Sequence, residues 1–375
     1  MRVLVSIRPY YGHLHPTVPL ACSLVRRGHS VLFATAASFC PAVEAAGFEC
    51  VPAGLHPRDP LPPEHEGKPY ARDYGAHPVT VKCRDLLGLA AGARPDVIVR
   101  DPTDVAAVVA AEVIGVPCVT LGFSEFIPPH SWDTLLGPGL DEVRSLWKLD
   151  ADPRWERMHP AGYFNLVPGI FRENDWAIPG ERPLRPVCRQ ALDAAPPAAW
   201  LAQLPARPTV HLTLGTAYNF HVQLLANLIG WLSRLPVSVI CTAGPDADLR
   251  SFGSAPENIH LTDYLPLEQI LPHCDAVVTA GGFNTVMGAL QFGLPMIVLP
   301  IGADQPRNAG RVAALGAGVR IEAAAADRDT VTGALRALLV EPSYRVNAAR
   351  IQERIERMPG PDDAVTHLEN ACGQP

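Results

Sequence analysis

The sequence predicts an α/β protein made of two Rossmann-like domains in series. Short, uniformly apolar strands alternate with helical segments along both halves of the chain, and such strands form parallel sheets that helices cover on both faces. A length of 375 residues suits two domains better than one. A hydrophobic fraction of 48% beside 18% charged residues supplies enough apolar surface for two cores.

Each half contributes its own run of elements. The first half has predicted strands at 2–7, 30–35, 96–100 and 117–122, with helices at about 16–27 and 105–114. The second half has predicted strands at 209–215, 237–242, 258–261, 276–279 and 295–300, and one or two amphipathic helices at 342–371. An Ala- and Pro-rich stretch at 191–208 marks the boundary. We therefore expect domains at 1–195 and 209–350, a linker at 196–208, and a C-terminal helix at 351–375 that crosses back to the first domain.

Composition excludes several function classes. A net charge of −7 without any basic block argues against nucleic-acid binding. No apolar run reaches the roughly 18 residues that a membrane span needs, and no signal peptide is evident. The nine cysteines are scattered without a CxxC pair, which predicts reduced thiols in a cytoplasmic protein and no zinc site. No hydrophobic heptad marks an oligomer, so that a homodimer stays an open alternative.

Two proline-rich segments, 52–83 and 123–176, lack a regular pattern, although about 140–148 could be helical. Long irregular segments are uncommon unless they are functional. The second segment is rich in aromatic residues, namely Trp132, Trp147, Trp155, Tyr163, Phe164, Phe171 and Trp176. These rings could line a pocket for a flat apolar ligand, or they could pack over the core of their own domain.

The most informative stretch runs from Asp275 to Gln305. A short apolar strand leads to the pair Gly281-Gly282, and Asn284-Thr285 follow at a predicted helix start. A strand, a glycine turn and a helix N-terminus together form an anion site, because backbone N–H groups and the helix dipole point at the ligand.

A second apolar strand in this stretch leads to a polar loop with Asp304 and Gln305, which could hold hydroxyl groups. A phosphate next to a polyol describes a nucleotide sugar. The same two residues could instead open a helix, with Pro306 in its first turn.

Four motifs together resemble one family. They are GHLHP at 12–16, WLAQLPARPTVHLTLGT at 200–216, DYLPLEQILPHCDAVVTAGGFNT at 263–285 and GLPMIVLPIGADQPRNAGRVAALGAG at 293–318. The chain resembles the nucleotide-sugar glycosyltransferases of the GT-B fold, in which two Rossmann-like domains face each other across a cleft. It is most similar to those that decorate antibiotics and other natural products in actinomycetes. The last motif is the most specific.

The resemblance implies a catalytic pair. His13 matches the family's general base, which takes the proton of the acceptor hydroxyl, and an imidazole with an ordinary pKa near ~6.5 suits that task. Asp101 matches the aspartate that orients this base. His15 and Asp104 are the nearby alternatives, and helix capping or packing would explain any of the four residues without catalysis.

The resemblance also implies a donor site in the second domain. Its nucleotide and diphosphate contacts are Gly215, Thr216, Tyr264, Leu265, Gly281, Gly282, Asn284 and Thr285. Asp304 and Gln305 match the contacts to sugar hydroxyls, and Asn308 is near enough to join them. One position departs from the family: relatives carry histidine before the glycine pair, whereas this chain has Ala280. One lost donor to a developing anion costs about a hundredfold in rate.

Two other patterns are set aside. Asp246 and Asp248 form a DxD, but they lie in a Gly-Pro loop, so that a solvated turn is favoured over a metal site. No GxGxxG follows the first strand and no P-loop motif occurs. We expect neither a metal nor a cofactor.

The sequence thus predicts an inverting glycosyltransferase. It would move a sugar from a dTDP- or UDP-sugar to a small natural-product acceptor, either an aglycone or a glycoside. Two alternatives stay open. One is a nucleotide-sugar-binding partner without activity, which Ala280 motivates, and the other is an epimerase or hydrolase on the same fold.

Overall fold

The computed structural model of this chain describes most of the sequence. The described residues are 1–60, 75–124, 139–153, 155–172, 178, 180–189, 191–193, 196, 198–216, 221–245 and 247–373. They form two units, each a parallel β-sheet with helices packed on it. The prediction of an α/β protein with two Rossmann-like units in series is therefore confirmed.

The first unit is built on a seven-stranded sheet in the order β3-β2-β1-β4-β5-β6-β7, with all neighbours parallel. Its strands are β1 Arg2–Ser6, β2 Ser30–Thr35, β3 Glu49–Pro52, β4 Val97–Arg100, β5 Cys118–Gly122, β6 Tyr163–Asn165 and β7 Glu181–Pro183. Its helices are α1 Tyr11–Arg26, α2 Cys40–Ala45, α3 Ala76–Ala93, α4 Val105–Ile114 and α5 Gly139–Leu146.

The second unit has a six-stranded parallel sheet in the order β10-β9-β8-β11-β12-β13. Its strands are β8 Thr209–Thr213, β9 Ser238–Thr242, β10 Ile259–Thr262, β11 Ala276–Thr279, β12 Met296–Val298 and β13 Gly318–Arg320. The helices from here to the end are α6 Val222–Leu232, α7 Leu267–Ile270, α8 Phe283–Gln291, α9 Gln305–Ala314, α10 Arg328–Val340, α11 Pro342–Glu356 and α12 Pro361–Gly373.

Both faces of each sheet are buried, which explains why the strands carry continuous apolar runs. In β1, Val3 and Val5 face one hydrophobic cluster, whereas Leu4 faces another on the opposite side. In β11, Val277 and Val278 divide in the same way between two clusters. Because side chains alternate across a strand, a strand that is apolar at every position needs helices on both sides.

Helix α12 packs on α1 of the first unit. Arg27 pairs with Glu369 at 2.5 Å, and Nε2 of His29 lies 2.8 Å from a carboxylate oxygen of the same glutamate. Val365 and Leu368 are buried in the hydrophobic cluster that also contains residues of α1 and α8. The end of the chain therefore contacts the first unit, although the predicted domain limits at 195 and 208 stay a prediction.

The start of α1 differs from the sequence prediction. The helix begins at Tyr11, so that its predicted start at about 16 is wrong and His13 lies in its first turn. Proline is favoured in a first helical turn, which is why Pro16 indicated a start. Here Pro16 lies inside the helix, where it supplies no N–H for the carbonyl of Gly12. The side-chain amide of Asn284 donates to that carbonyl instead, at 3.3 Å.

Several short elements escape the prediction. Strands β3, β6, β7 and β13 have only three or four residues each, too few for a recognisable pattern. Residues 76–83 were expected to be irregular, but they belong to α3, whose first turn tolerates Pro78. The helix predicted at about 140–148 is present as α5, and the helices predicted near the C-terminus are α11 and α12.

The aromatic residues of the 123–176 segment lie mostly in the cores. Phe164 and Phe171 belong to the cluster shared with α1, Trp155 lies in the cluster under α3 and α4, and Tyr163 is buried. Trp147 is half-buried against the same cluster as Trp155. For these residues the packing interpretation holds. Trp132 and Trp176 lie outside the described residues.

None of the described helices is long and apolar enough to span a bilayer.

A core substitution tests the docking of α12. Leu368 is 0% exposed, and we expect Leu368→Ala to lower the free energy of unfolding by about 3 kcal/mol through lost burial and a cavity. Val340, at 78% exposure, offers the control, because Val340→Ala should change the free energy of unfolding by less than about 0.5 kcal/mol. Urea unfolding followed by tryptophan fluorescence measures both. Equal effects of the two substitutions would contradict the docked helix.

Buried histidines make the fold sensitive to acid. Burial lowers the pKa of His15 and of His211 to about 4, and burial together with Arg100 lowers the pKa of His159 to about 3. Each ring is neutral when folded but gains a proton on unfolding below its ordinary pKa of about 6.5. Stability is therefore lost as the pH falls from about 6.5 towards 4, by about 2 kcal/mol per histidine at pH 5.

We expect His211→Gln to reduce the slope of unfolding free energy against pH by about one proton, or about 1.4 kcal/mol per pH unit, between pH 6.5 and 5. Urea unfolding at several pH values gives the slope. Leu368→Ala is the control, since it should lower stability equally at every pH. An unchanged slope in His211→Gln would show that this ring titrates alike in the folded and unfolded states.

Candidate active site

The carboxyl ends of the two sheets meet in one cleft. After β5, the ring of Phe123 lies 5.1 Å from the ring of His13 and 6.3 Å from that of Phe283, which opens α8 in the second unit. The Asn284–Gly12 hydrogen bond joins the first turns of α8 and α1 across the same boundary. Ligands of parallel sheets bind at the carboxyl ends of the strands, so this is the expected place for a site between two such units.

The structure brings His13 and Asp101 together. Nδ1 of His13, in the first turn of α1, lies 3.1 Å from Oδ2 of Asp101, which directly follows β4. The imidazole keeps 17% of its surface exposed, whereas the carboxylate has 0%. The angle at Nδ1 is outside that of a regular hydrogen bond, as is common for catalytic contacts without bound substrate.

Asp101 is held in place by donors on both oxygens. Its Oδ2 accepts the backbone N–H of Arg8 at 2.7 Å, and its Oδ1 accepts the N–H and the hydroxyl of Thr103 at 2.7 and 2.8 Å. Burial alone would raise the pKa of this carboxyl, but His13, the Arg8 N–H and the charge of Lys82 outweigh it and hold the pKa well below its usual range. Asp101 is therefore ionised at neutral pH.

The geometry separates Asp101 from its alternative, Asp104. The carboxylate of Asp104 accepts the hydroxyl of Ser6 at 2.6 Å and pairs with Nζ of Lys82 at 2.7 Å. The same ammonium donates to the carbonyl of Ile7 at 2.6 Å. Asp104 thus belongs to a buried ion pair behind the site, and Asp101 alone of the two carboxylates reaches His13.

His15 is separated from His13 in the same way. It is buried, its Nε2 lies 3.4 Å from the hydroxyl of Tyr264, and burial lowers its pKa to about 4. Its ring also lies 5.5 Å from that of Tyr11. These contacts are those of a packed residue at the boundary of the two units.

The glycine turn after β11 has the geometry of an anion site. Gly281 has a φ of +95°, and an added Cβ would come within 2.4 Å of Cγ1 of Val298, so only glycine fits. Gly282 precedes α8, whose first N–H groups receive no side-chain cap. The amide of Asn308 donates to the Gly281 carbonyl at 2.9 Å, and the Gly281 N–H donates to Oγ1 of Thr279 at 3.1 Å.

Of the other predicted members of this turn, Thr285 is largely buried within the first turn of α8. Ala280 is 1% exposed and packs in the second unit's own hydrophobic cluster. Its N–H donates to the carbonyl of Thr213 at 3.3 Å. At the position where the family resemblance implies histidine, this chain therefore has a small core residue.

Asp304 and Gln305 open α9, as the helix alternative predicted. Asp304 accepts the amide of Asn308 at 2.9 Å and a hydrogen bond from Ser124 of the first unit. Both bonds and the electrostatic effect of His13 act to lower the pKa of its carboxyl. Burial raises the pKa of the Asp304 carboxyl above its usual value. Oε1 of Gln305 accepts the N–H groups of residues 301 and 302, at 2.8 and 3.0 Å, and so fixes the turn before the helix.

The remaining predicted contacts lie at neighbouring strand ends. Gly215 and Thr216 follow β8, and the Gly215 N–H donates to Oγ1 of Thr213 at 3.1 Å. Tyr264 and Leu265 follow β10, where the Tyr264 ring stacks at 6.2 Å on Tyr11 of α1. Leu265 is half-buried against the cluster that both units share.

Only one aspartate of the DxD pattern lies within the described residues. Asp248 accepts the N–H of Arg250 and pairs with its guanidinium at 2.8 Å on the surface, while Asp246 lies outside the described residues. Within the described ranges, no cluster of three or more His, Cys, Asp or Glu could hold a metal ion.

A small cavity of about 40 Å³ opens in the first unit beside this site, with room for a few water molecules. Its lining includes Arg8, Leu55, Pro57, Lys82 and Thr103.

Sequence reasoning missed three residues that shape the site. Thr103 caps the carboxylate of Asp101, and its spacing two residues after an aspartate is a turn signal that could have found it. Arg8 supplies a backbone N–H, and Ser124 bonds Asp304 from a backbone with φ of +62°. These two contacts carry no sequence signal, since they depend on tertiary geometry.

Comparison with known proteins covers the whole chain. Residues 226–371 match the C-terminal domain of the erythromycin biosynthesis protein CIII-like family. The chain is 30% identical to 4'-demethylrebeccamycin synthase of Lentzea aerocolonigenes, over 98% of this chain and 99% of that protein. It is 32% identical to L-demethylnoviosyl transferase of Streptomyces niveus, over 96% of each chain.

A solved structure agrees in fold. The spinosyn rhamnosyltransferase SpnG, complexed with thymidine diphosphate, matches with a TM-score of 0.81 at 25% identity, over 99% of this chain and 100% of that one. The predicted GT-B architecture is thereby confirmed. L-demethylnoviosyl transferase and the elloramycin glycosyltransferase ElmGT of Streptomyces olivaceus, both 32% identical to this chain over 96% or more of its length, are transferases by name. This chain therefore belongs to the GT-B family of natural-product glycosyltransferases.

Proposed function

We propose that this glycosyltransferase moves a sugar from a dTDP- or UDP-sugar to a hydroxyl group of a small natural-product acceptor, with inversion at the anomeric carbon. The observation that carries the proposal is the placement of His13. Its ring contacts the ionised Asp101 at 3.1 Å, and the residue directly follows Gly12, whose carbonyl accepts the Asn284 hydrogen bond at the uncapped start of α8. A base and an anion site thus share one cleft.

His13 serves as the general base. With Nδ1 3.1 Å from the carboxylate of Asp101, Nε2 is the nitrogen left for the acceptor hydroxyl. Nε2 takes the proton while the acceptor oxygen attacks the anomeric carbon, and the bond from that carbon to the diphosphate breaks. Asp101 stabilises the imidazolium that forms. One displacement at one carbon inverts its configuration.

The leaving diphosphate binds at the start of α8. The turn of Gly281 and Gly282 and the first turn with Asn284 and Thr285 present N–H groups and the positive end of the helix dipole. Neither a metal nor a cofactor is required if these groups carry the charge of the leaving group. The complex of SpnG with thymidine diphosphate supports a dTDP-linked donor.

The other residues of the donor site lie just after the carboxyl ends of β8, β10 and β12. Asp304 and Gln305 contact the sugar hydroxyls, with Asn308 beside them, while Tyr264 and Leu265 contact the base. Gly215 and Thr216 lie near the diphosphate, at the end of the strand next to β11.

The first unit takes the acceptor, and the position of the His13–Asp101 pair in that unit, at the cleft, supports this assignment. The scattered free cysteines favour a cytoplasmic location. The relatives are transferases by name, which favours transfer over both a non-catalytic partner and an epimerase or hydrolase.

The catalytic pair is tested by His13→Ala and Asp101→Asn. Loss of the base should lower kcat about a hundredfold or more, because proton transfer contributes about 10² to 10⁴ in rate. Binding of dTDP should be unchanged in calorimetry. Transfer from dTDP-glucose or UDP-glucose to a phenolic aglycone such as alizarin, followed by chromatography, gives the rates. His29→Gln, about 24 Å away at the far end of α1, is the control. Full activity of His13→Ala would refute the assignment.

The donor site is tested by Gly281→Ala. The new methyl group would meet Val298, and alanine resists a φ of +95°, so we expect the turn to shift and the affinity for dTDP to fall about tenfold or more. Gly333→Ala in α10 has open space around the new methyl group and should leave dTDP binding unchanged. Calorimetric titration with dTDP, UDP and GDP also ranks the donor class. Unaltered dTDP binding by Gly281→Ala would place the diphosphate elsewhere.

A further inference from the structure

Arg100, the last residue of β4, is a completely buried charge that the proposed reaction does not use directly. Its exposure is 0%, and no carboxylate among the described residues pairs with it. Its Nη1 donates instead to the carbonyl oxygens of Asp101 at 3.1 Å and Pro102 at 3.0 Å, with Asp104 at 3.5 Å. Burial of an unpaired guanidinium is costly, so these carbonyl bonds must compensate for lost water.

These bonds fix the turn that carries the catalytic carboxylate. The guanidinium donates hydrogen bonds to the carbonyls of residues 101 and 102 on one side of the turn. On the other side, the carboxylate of Asp101 receives the N–H of Arg8 and both donors of Thr103. The backbone of Asp101 is thus held from behind while its side chain points at His13.

A second arm of Arg100 anchors the turn to a neighbouring segment. Nη2 donates to the carbonyl of Met158 and lies 3.3 Å from Nδ1 of His159. The hydroxyl of Thr120, on β5, lies 2.9 Å from the same ring nitrogen. Burial and Arg100 lower the pKa of His159 to about 3, which keeps the ring neutral and able to accept. The turn cannot move without breaking these contacts.

We propose that Arg100 is a positioning residue for the reaction: its guanidinium fork holds the 101–104 turn so that the Asp101 carboxylate stays within reach of Nδ1 of His13. The inference rests on the proposed roles of His13 and Asp101. Lysine cannot replace the fork, because an ammonium on a flexible stem does not present two rigid arms to separate carbonyls.

A double-mutant cycle tests the inference. Arg100→Lys keeps the charge, and a shift of the turn by about 1 Å should lower kcat roughly tenfold to a hundredfold while the affinity for dTDP is unchanged. In the Asp101→Asn background, Arg100→Lys should have almost no further effect, since both changes remove the same contact. Transfer to alizarin measured per folded enzyme gives the four rates.

Arg144 provides the matched control. It is equally buried, but it forms a bidentate pair with Glu112 at 2.8 and 3.0 Å, away from the cleft. Arg144→Lys should therefore lower stability and leave kcat unchanged. If Arg144→Lys lost as much kcat as Arg100→Lys, the loss in Arg100→Lys would be explained by general destabilisation, and the inference would be overturned.

Crystal structures of Arg100→Lys and Arg144→Lys give an answer without any acceptor. We expect the distance of 3.1 Å between Nδ1 of His13 and Oδ2 of Asp101 to exceed about 3.5 Å in Arg100→Lys only. An unchanged distance would overturn the inference, and so would a full additional loss of kcat in the Asp101→Asn background. If Asp101→Asn alone keeps full activity, the proposed catalytic pair fails instead.

Discussion

The two units are joined at their reactive edges by the hydrogen bond from the Asn284 amide to the Gly12 carbonyl. That carbonyl is available because Pro16, four residues later, has no N–H to bond it within α1. The bond places the first turns of α1 and α8 together, and each is the positive end of a helix dipole. His13 lies in one of these turns, and the glycine turn leads into the other. The missing N–H of Pro16 thus leaves an acceptor where the two first turns meet, and the hydrophobic cluster that both units share holds them together.

Two carboxylates lie near this positive edge, and their surroundings differ. Asp101 has three donors besides His13, so that it stays ionised despite complete burial. Asp304 has fewer donors for its burial, and the pKa of its carboxyl is raised accordingly. The first arrangement suits a group that must keep a fixed charge beside an imidazole. The second suits a group that exchanges its contact with Ser124 for the hydroxyl groups of a ligand.

Local signals in the sequence were sufficient for much of the fold and for part of the site. The apolar strands were predictable because each sheet is buried on both faces. The glycine pair at 281–282 was predictable because few other residues meet the backbone requirements of that turn. Strands β6 and β7 were not predictable, because their three residues include polar ones and do not lie in a uniformly apolar run such as the one around β12, so that only the neighbouring strand defines them. Local signals also could not separate Asp101 from Asp104. That choice depends on Lys82, which pairs with Asp104 and lies in a helix about twenty residues earlier in the chain.

If the glycine turn binds the diphosphate as proposed, Ala280 leaves to the backbone the contact that the family resemblance assigns to a histidine. A side-chain donor can adjust to a ligand, whereas N–H groups are useful only if the turn that presents them is rigid. Here the turn is fixed from three directions. Val298 lies against Gly281 too closely for any side chain, Thr279 accepts its N–H, and Asn308 donates to its carbonyl. Asn308 is also bonded to Asp304, so that the rigidity of the proposed phosphate turn and the placement of the proposed sugar contact depend on one amide.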